Sequence, residues 1–394
     1  MKGKADIKLA ITTVILVIFG IIMVYSASMY SAQYNYGNKY FFMYKQILGG
    51  VLGIAAMILL SFVDYHVLEK LKYPILGVSF ALLILVFVPG IGIESYGAKR
   101  WINLPFFSMQ ASEVAKFGFI IFAASYIAKN HKKMTSFVTL LPVLAVGGAM
   151  CVLIILEPNM SITLCMIMLM FVMLYIGGAR IKHFFVMALP VLALVPVLIL
   201  IEPYRLKRLL AFIDPWQSPL GEGYQLIQSF YSLGSGGLFG LGLFNSRQKY
   251  MFLPFSESDF IFSIIGEELG LIGAIVVIAV FAFMIFRAIL IAQKAPDRFG
   301  CFLAGGIAIQ VLINIAVVTG SIPPTGLPLP FVSAGSTSLI VFCSGVGILQ
   351  SISLRSHDSV VALRFFAGHK SIKALAKKQK RNRGGGNRKV EQEK

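Results

Sequence analysis

Charge is scarce in this sequence. Only 13% of its 394 residues are charged, roughly half the usual share for a soluble domain. Carboxylates are scarcest, with 17 Asp and Glu against 35 Lys and Arg. Cysteine is rare too. Cys151, Cys165, Cys301 and Cys343 fall inside apolar runs without metal-type spacing, which excludes a disulfide framework and a zinc cluster and leaves them as packing residues. What fills the chain instead is apolar: 57% of residues are hydrophobic and the mean hydropathy is +0.82. A chain of this size cannot hide that much apolar surface in a water-soluble core, so a soluble enzyme, a fibre and a mostly disordered protein are excluded. In this background the formal charge of +18 points to a membrane surface rather than to nucleic acid.

Apolar runs near the length of a membrane span fall at about 9–29, 45–62, 73–92, 113–128, 137–156, 160–178, 183–202, 260–290, 299–320 and 332–353. They predict an all-α, polytopic membrane protein with ten transmembrane helices. The first run follows Lys2, Lys4 and Lys8 but is too long for a signal peptide and has nine successors. Glu157-Pro158-Asn159 alone separates the fifth and sixth, which could instead form one broken helix. With both termini cytoplasmic, the N-terminus and inner loops hold 13 Lys and Arg and the tail adds 12, against 10 outside, as the positive-inside rule requires.

These spans make residues 1–353 one membrane domain, in which 203–258 form a large extracytoplasmic loop between helices 7 and 8. Loops of that length are usually functional or disordered. This one carries apolar side chains such as Leu209, Phe212, Trp216, Ile227 and Phe230, and Gly223–Leu233 reads as an amphipathic helix, so it is expected to lie folded on the outer membrane surface. Residues 354–394 form a basic cytoplasmic tail, too polar to fold alone.

His66, His131, His183, His357 and His369 all fall on the inner side of this topology. Chemistry at the outer face therefore rests on carboxylates. Asp259 stands where the long loop re-enters the membrane, although Ser256 and Asp259 also have capping-box spacing. Glu113 and Lys116, three apart, share a helix face at membrane depth, where ionisable groups are functional candidates or structural ion pairs. Glu267-Glu268 reads similarly, with Glu268 open to a helix-positioning role. Outer cations gather at Lys99-Arg100, Arg205-Lys207-Arg208 and Arg247-Lys249. The Gly234–Gly242 cluster follows no strand and has the wrong spacing for a nucleotide fingerprint; close backbone packing or a turn accounts for it better. Pro323, Pro324, Pro328 and Pro330 mark irregular backbone, which at membrane depth must be buried in protein or line a wet cavity. Ser333–Ser338 fits a closely packed helix start. The residues alone thus leave two classes: an enzyme acting on an anionic, lipid-linked substrate, and a transporter with buried ionisable groups.

Several strings in order narrow this. They are Gly97-Ala-Lys-Arg-Trp-Ile102, Gln110-Ala-Ser-Glu-Val-Ala-Lys116, Gly223-Tyr-Gln-Leu-Ile-Gln-Ser229, the glycine cluster, Ser258–Gly270 and Thr325-Gly-Leu-Pro-Leu-Pro-Phe-Val-Ser333. Together they resemble the SEDS family (shape, elongation, division and sporulation), peptidoglycan glycosyltransferases of the FtsW/RodA type. The likeness runs from the first span to the tenth. The Arg205–Asp214 region and the Phe331-Val-Ser-Ala-Gly335 string lean to its division/sporulation branch. The resemblance implies the SEDS fold and polymerisation of lipid II, an undecaprenyl-pyrophosphate-linked disaccharide-peptide, at the outer face of the bacterial cytoplasmic membrane. It makes Asp259 the catalytic base and places Glu113 and Lys116 on the family's early span-4 pair. It matches Arg205 and Arg208 to a basic pair suited to pyrophosphate, with Arg100 and Lys249 as further cations and Trp101 and Gln110 as substrate contacts. The implied partners are a class B penicillin-binding protein and other divisome or elongasome membrane proteins. No cofactor is fixed, with room left for a divalent cation. The chain departs from the family at Asn159, where many relatives carry Asp, and around Asp259, where Pro254-Phe-Ser-Glu-Ser replaces the commoner neighbours. A lipid II flippase is the alternative reading.

Overall fold

Asp6 starts the first helix by accepting a hydrogen bond from the Leu9 N–H, and Gly37 ends it in a left-handed conformation, φ 67°. Those caps bound α1, Ile7–Tyr36, whose 30 residues span about 45 Å at 1.5 Å each. That exceeds the roughly 30 Å hydrocarbon layer, so α1 projects beyond it. Its far end carries an aromatic belt, with Tyr25 stacked on Tyr40 and Tyr30 meeting Tyr250 edge-on, the residue types that favour a membrane–water boundary. The computed structural model describes residues 3–95, 98–103, 108–189, 193, 204–321 and 326–356.

The helices that follow are α2 (Phe41–Phe62), α3 (His66–Lys70), α4 (Lys72–Leu85), α5 (Ala111–Asn130), α6 (Phe137–Leu156), α7 (Met160–Ile176) and α8 (181–189). Then come α9 (Tyr204–Ile213), α10 (Tyr224–Ser235), α11 (Ile261–Lys294), α12 (Arg298–Val318) and α13 (Ser336–Arg355). Seven of them (α1, α2, α5, α6, α11, α12 and α13) are long and apolar enough to cross a membrane. Of the other three apolar runs, 73–92 holds the 14-residue α4 and 160–178 the 17-residue α7, while 183–202 lies largely outside the described residues. Asn159 caps α7 through the Ile162 N–H, so the fifth and sixth runs form two helices. Cys151, Cys165 and Cys343 are buried and none of the four cysteines forms a disulfide.

The chain is mostly helical rather than all-α. A three-stranded antiparallel sheet interrupts the helices: β1 (Gly92–Ser95), β2 (Ala98–Asn103) and β3 (Ser108–Gln110). The run expected to continue to residue 92 stops at Leu85 because Pro89, Gly90 and Gly92 follow it. Gly90 adopts φ 85°, and proline and glycine break a helix at such points. The strand β2, centred on Arg-Trp-Ile, is the middle strand, with Ile102 buried and Lys99 and Asn103 exposed.

Asp6 pairs with Arg287 at 2.6 Å, His66 touches Asp64 and Asp297, and Arg355 reaches Asp64. The N-terminal segment, the α2–α3 and α11–α12 connections and the end of α13 therefore meet at one end of the bundle. Along the bundle α13 packs most extensively on α2. At its start a Cβ added to Gly49 would stand 3.0 Å from the Ser336 Cα, the close approach expected of the small-residue run.

Helix α11 is broken at Gly270, with φ 70° and ψ −172°. The backbone groups that a continuous helix would pair with each other are paired instead with the glycine cluster. Leu271 and Ile272 N–H donate to the Gly237 and Leu238 carbonyls, while Leu241 and Gly242 N–H donate to the Glu267 and Glu268 carbonyls. Four hydrogen bonds thus replace the helical ones, as backbone at membrane depth requires. The approach is tight at Gly240, φ 83°, where an added Cβ would lie 2.2 Å from the Glu268 carbonyl oxygen.

Gly240→Ala and Gly270→Ala are expected to destabilise the protein. The left-handed backbone alone costs about 1–3 kcal/mol, and the clash adds to it. Gly305→Ala, with nothing within 4 Å of its new methyl, is the control. Thermal unfolding of the solubilised protein checks this: both first variants melt lower than wild type and Gly305→Ala does not.

Candidate active site

Asp259 sits at the end of a tight turn, not in a helix cap. Helix α11 begins at Ile261, its cap is Phe260 and no side chain closes it, which sets the capping-box reading aside. The Phe255 carbonyl accepts from both the Ser258 and Phe260 N–H groups, folding the chain tightly around Asp259. Phe255 itself holds φ 57°, and Phe331 across from it holds φ 66°. Bulky residues rarely adopt that region, and such strain gathers where structure elsewhere fixes the backbone.

The fixing comes from the segment before α13. Ala334 N–H donates to the Glu257 carbonyl at 2.8 Å. Ser333 Oγ donates to the Ser258 carbonyl at 2.6 Å and accepts from the Leu329 N–H at 2.8 Å. Gln46 of α2 holds Ser333 in turn, donating from Nε2 to its carbonyl at 3.0 Å. Gly326 presses on the carboxylate: at φ 65°, its added Cβ would stand 2.9 Å from Asp259 Oδ2. Asp259 thereby opens into a cleft lined by Ala211 and Phe212 of α9, Gln225 and Phe230 of α10, and Thr319 beyond α12. Glu222 lines it as well. Burial, and after it the charge of Asp259, pushes the neighbouring Glu257 carboxyl above the usual carboxylate range, so Glu257 keeps its proton more readily than a free glutamate.

A second group gathers on the sheet and α5. Trp101 pairs with Gln110 across β2 and β3, and Gln110 N–H donates to Thr337 Oγ1 at 3.3 Å. Arg100 donates from Nε to the Glu157 carbonyl at 3.3 Å and from its terminal nitrogen to the Pro158 carbonyl. It thus braces the α6–α7 junction where Asn159 stands. Lys116 Nζ donates to Glu113 Oε1 at 2.7 Å, both side chains fully buried, and Glu113 Oε2 has no hydrogen-bond partner among the described residues. Because Thr337 follows Ala334 by three residues, one stretch of chain ties this group to the Asp259 turn.

Lys249 stands apart from both. It is 1% exposed and donates to Glu268 Oε1 at 3.2 Å, to Ser26 Oγ at 3.5 Å and to the Phe244 carbonyl. Glu268 Oε1 also accepts from Ser26 Oγ at 2.6 Å. The adjacent Glu267 accepts from Ser246 Oγ, from the Arg247 N–H at 2.8 Å and from Ser232 Oγ at 3.1 Å. The two carboxylates clasp residues 246–249 against α11. The structure thus places Lys249 in the clasp rather than in the Asp259 cleft.

Arg205 and Arg208 fall on α9, where Arg208 is one turn before Ala211 and Phe212; their side chains lie outside the described residues. No group of three or more His, Cys, Asp or Glu able to hold a metal occurs among the described residues. Gln46 was missed in the sequence, while Ser333 and Glu257 entered it only within longer strings such as Thr325–Ser333 and Pro254–Ser258, with no role of their own. Ser333 closes the Thr325–Ser333 string that carried the resemblance, a signal for its importance; nothing local marks Gln46.

The family model described as "Cell cycle protein" (FTSW_RODA_SPOVE) matches residues 7–358. Stage V sporulation protein E of Bacillus subtilis is 41% identical over 357 residues, covering 89% of this chain and 98% of the relative. A probable peptidoglycan glycosyltransferase FtsW of Geobacter sp. (strain M18) is 40% identical, covering 89% and 97%. Among solved structures, a chain from a peptidoglycan synthase complex that coordinates polymerization and crosslinking superposes with a TM-score of 0.74 at 26% identity, over 90% of this chain and 99% of that one. The rod shape determining protein RodA of Thermus thermophilus, at 24% identity and TM-score 0.65 over 90% and 98%, shares the fold.

Two outcomes test this arrangement. Lys249→Met leaves the Glu268 carboxylate buried without its cation and is expected to cost about 3–5 kcal/mol. Adding Glu268→Gln recovers much of that loss, a coupling read from thermal unfolding of the two single variants and the double. Gly326→Ala, checked by the same melts and by activity, is expected to fold yet displace the Asp259 carboxylate, lowering turnover at least tenfold.

Proposed function

The chain belongs to the FTSW_RODA_SPOVE family of cell cycle proteins, and on that premise we propose that it is a peptidoglycan glycosyltransferase polymerising lipid II at the outer face of the cytoplasmic membrane. The observation that carries the proposal is Asp259: a carboxylate held by a strained turn and two cross-chain hydrogen bonds, facing a cleft built from the outer loop.

Chain growth joins a sugar hydroxyl to the anomeric carbon of a sugar whose leaving group is a lipid pyrophosphate. The hydroxyl oxygen forms the new bond to that carbon as the bond to pyrophosphate breaks, and the hydroxyl proton passes to ionised Asp259. A base positioned this way is typically worth about 100- to 10,000-fold in rate. The departing pyrophosphate needs cations where its charge develops. Arg205 and Arg208 on α9 are the candidates, since guanidinium suits bidentate phosphate contact, and Arg100 is a third. Glu113 and Lys116, with Trp101 and Gln110, shape the substrate cavity from the sheet side. Lys249 acts through the clasp on α11. The remaining apolar runs complete ten crossings with both termini cytoplasmic, and a class B penicillin-binding protein crosslinks the strands. Similarity to a chain from a synthase complex supports that pairing.

The test is to incubate the purified protein with labelled lipid II, with and without its penicillin-binding partner, and separate the products by gel. Asp259→Ala and Asp259→Asn are expected to fold and to lose at least 100-fold in polymerisation. Near-normal polymer from either variant removes Asp259 from the reaction. No polymer from folded wild type with its partner present favours lipid II transport instead, measured as passage across a vesicle membrane.

A further inference from the structure

A second cleft flanks α10, apart from the one that holds Asp259. Phe230, Tyr231, Ser235, Arg247, Gln248 and Glu267 line it. Phe230 lines the Asp259 cleft too, so the two clefts adjoin at this ring. Glu267 contributes no free valence here, since its carboxylate is spent on Ser232, Ser246 and the 247–248 backbone. What that clasp does is fix the backbone beneath Arg247 and Gln248.

The groups left over are chemically specific. The Gln248 Oε1 is shut off from solvent and has no hydrogen-bond partner among the described residues, an arrangement that costs free energy unless a donor arrives. Arg247 is exposed and its guanidinium has no ion pair among the described residues. Tyr231 and Phe230 are about half exposed, at 51% and 47%, and Trp216, 54% exposed, meets Tyr231 edge-on at 5.9 Å. Apolar rings with a few convergent polar groups make a ligand site. This set suits a saccharide: pyranose faces lie on aromatic rings, an acetamido N–H or hydroxyl satisfies the amide oxygen, and an anionic substituent meets the guanidinium.

We propose that this cleft is a holding subsite for the glycan strand, keeping the polymer on the enzyme between additions. The inference rests on the glycosyltransferase reading and extends it: a polymerase has to retain a chain as well as react its end. The ligand class is an N-acetylated glycan bearing peptide carboxylates.

The experiment uses the full chain in detergent and soluble, lipid-free, uncrosslinked strand fragments, with and without their peptide stems. Binding is followed by calorimetry, and product length by gel in the lipid II assay. Gln248→Leu and Tyr231→Ala are each expected to weaken binding of both fragments about tenfold, the scale of one lost hydrogen bond or ring contact. Arg247→Ala weakens only the stem-bearing fragment, and all three variants make shorter strands. Asp259→Asn still binds the fragments. Fragments that bind wild type and the three variants alike overturn the subsite, whatever the polymerase assay gives. Variant-sensitive binding without polymer from wild type keeps a glycan subsite and removes the polymerase reading, so the two failures are distinguishable.

Discussion

Two adjacent carboxylates beside a break in a membrane helix hold the outer half of this protein together. Glu267 and Glu268 are both fully buried, and a buried charge is tolerable only when paired and hydrogen-bonded. Lys249, Ser26, Ser232, Ser246 and three consecutive backbone N–H groups at 246–248 meet most of that demand, leaving Glu268 Oε2 without a hydrogen-bond partner among the described residues. A few residues on, the break at Gly270 takes in the glycine cluster by four backbone bonds. The outer loop is therefore secured to α11 twice, by side chains and by main chain. The turn that carries Asp259 lies between the clasped residues and the start of that helix, so its position follows from both.

A second dependence runs through the segment 326–337. It presses Gly326 on Asp259, bonds Ser333 and Ala334 to the two residues before it, and ends at Thr337, which takes up Gln110. The strand-and-helix group of Arg100, Gln110, Glu113 and Lys116 is thereby held in fixed relation to the carboxylate across the bundle. Rigid placement of this kind is what a reaction with developing charge needs, because donors and bases already in position cost no reorganisation when the bond breaks. Strain at Phe255 and Phe331 is compatible with it, since the cross-chain bonds hold the backbone that the strain would otherwise relax.

Much of this was legible in the residues, for reasons that can be named. The spans are visible because a lipid-facing helix must be apolar along its length, and α10 because Tyr224, Ile227 and Tyr231 recur at helical spacing. The glycine cluster was readable as close packing, since only absent side chains let two backbones meet. Asp259 stood out by its place at the loop's return. The sheet was not legible: its strands are short, and the apolar run before them continues past the point where Pro89 and Gly90 end the helix. Lys249 read as one more outer cation because it clusters with Arg247 in the outer loop; nothing local distinguishes a lysine that turns inward to a carboxylate 19 residues away.

The sequence by itself determined that this is a many-spanned membrane protein of a recognisable family, with its acids scarce and placed where loops meet helices. Hydrophobic length and residue order carry that information locally. Only the tertiary structure decided which ionisable groups are partners and which remain available. Glu113 with Lys116 was open to inspection at helical spacing, but Glu268 with Lys249, Ser333 with the turn at Asp259, and Arg100 with the α6–α7 junction were not. Those pairings join segments far apart in the chain, and a buried polar group takes whichever partner the packed helices bring within hydrogen-bond reach.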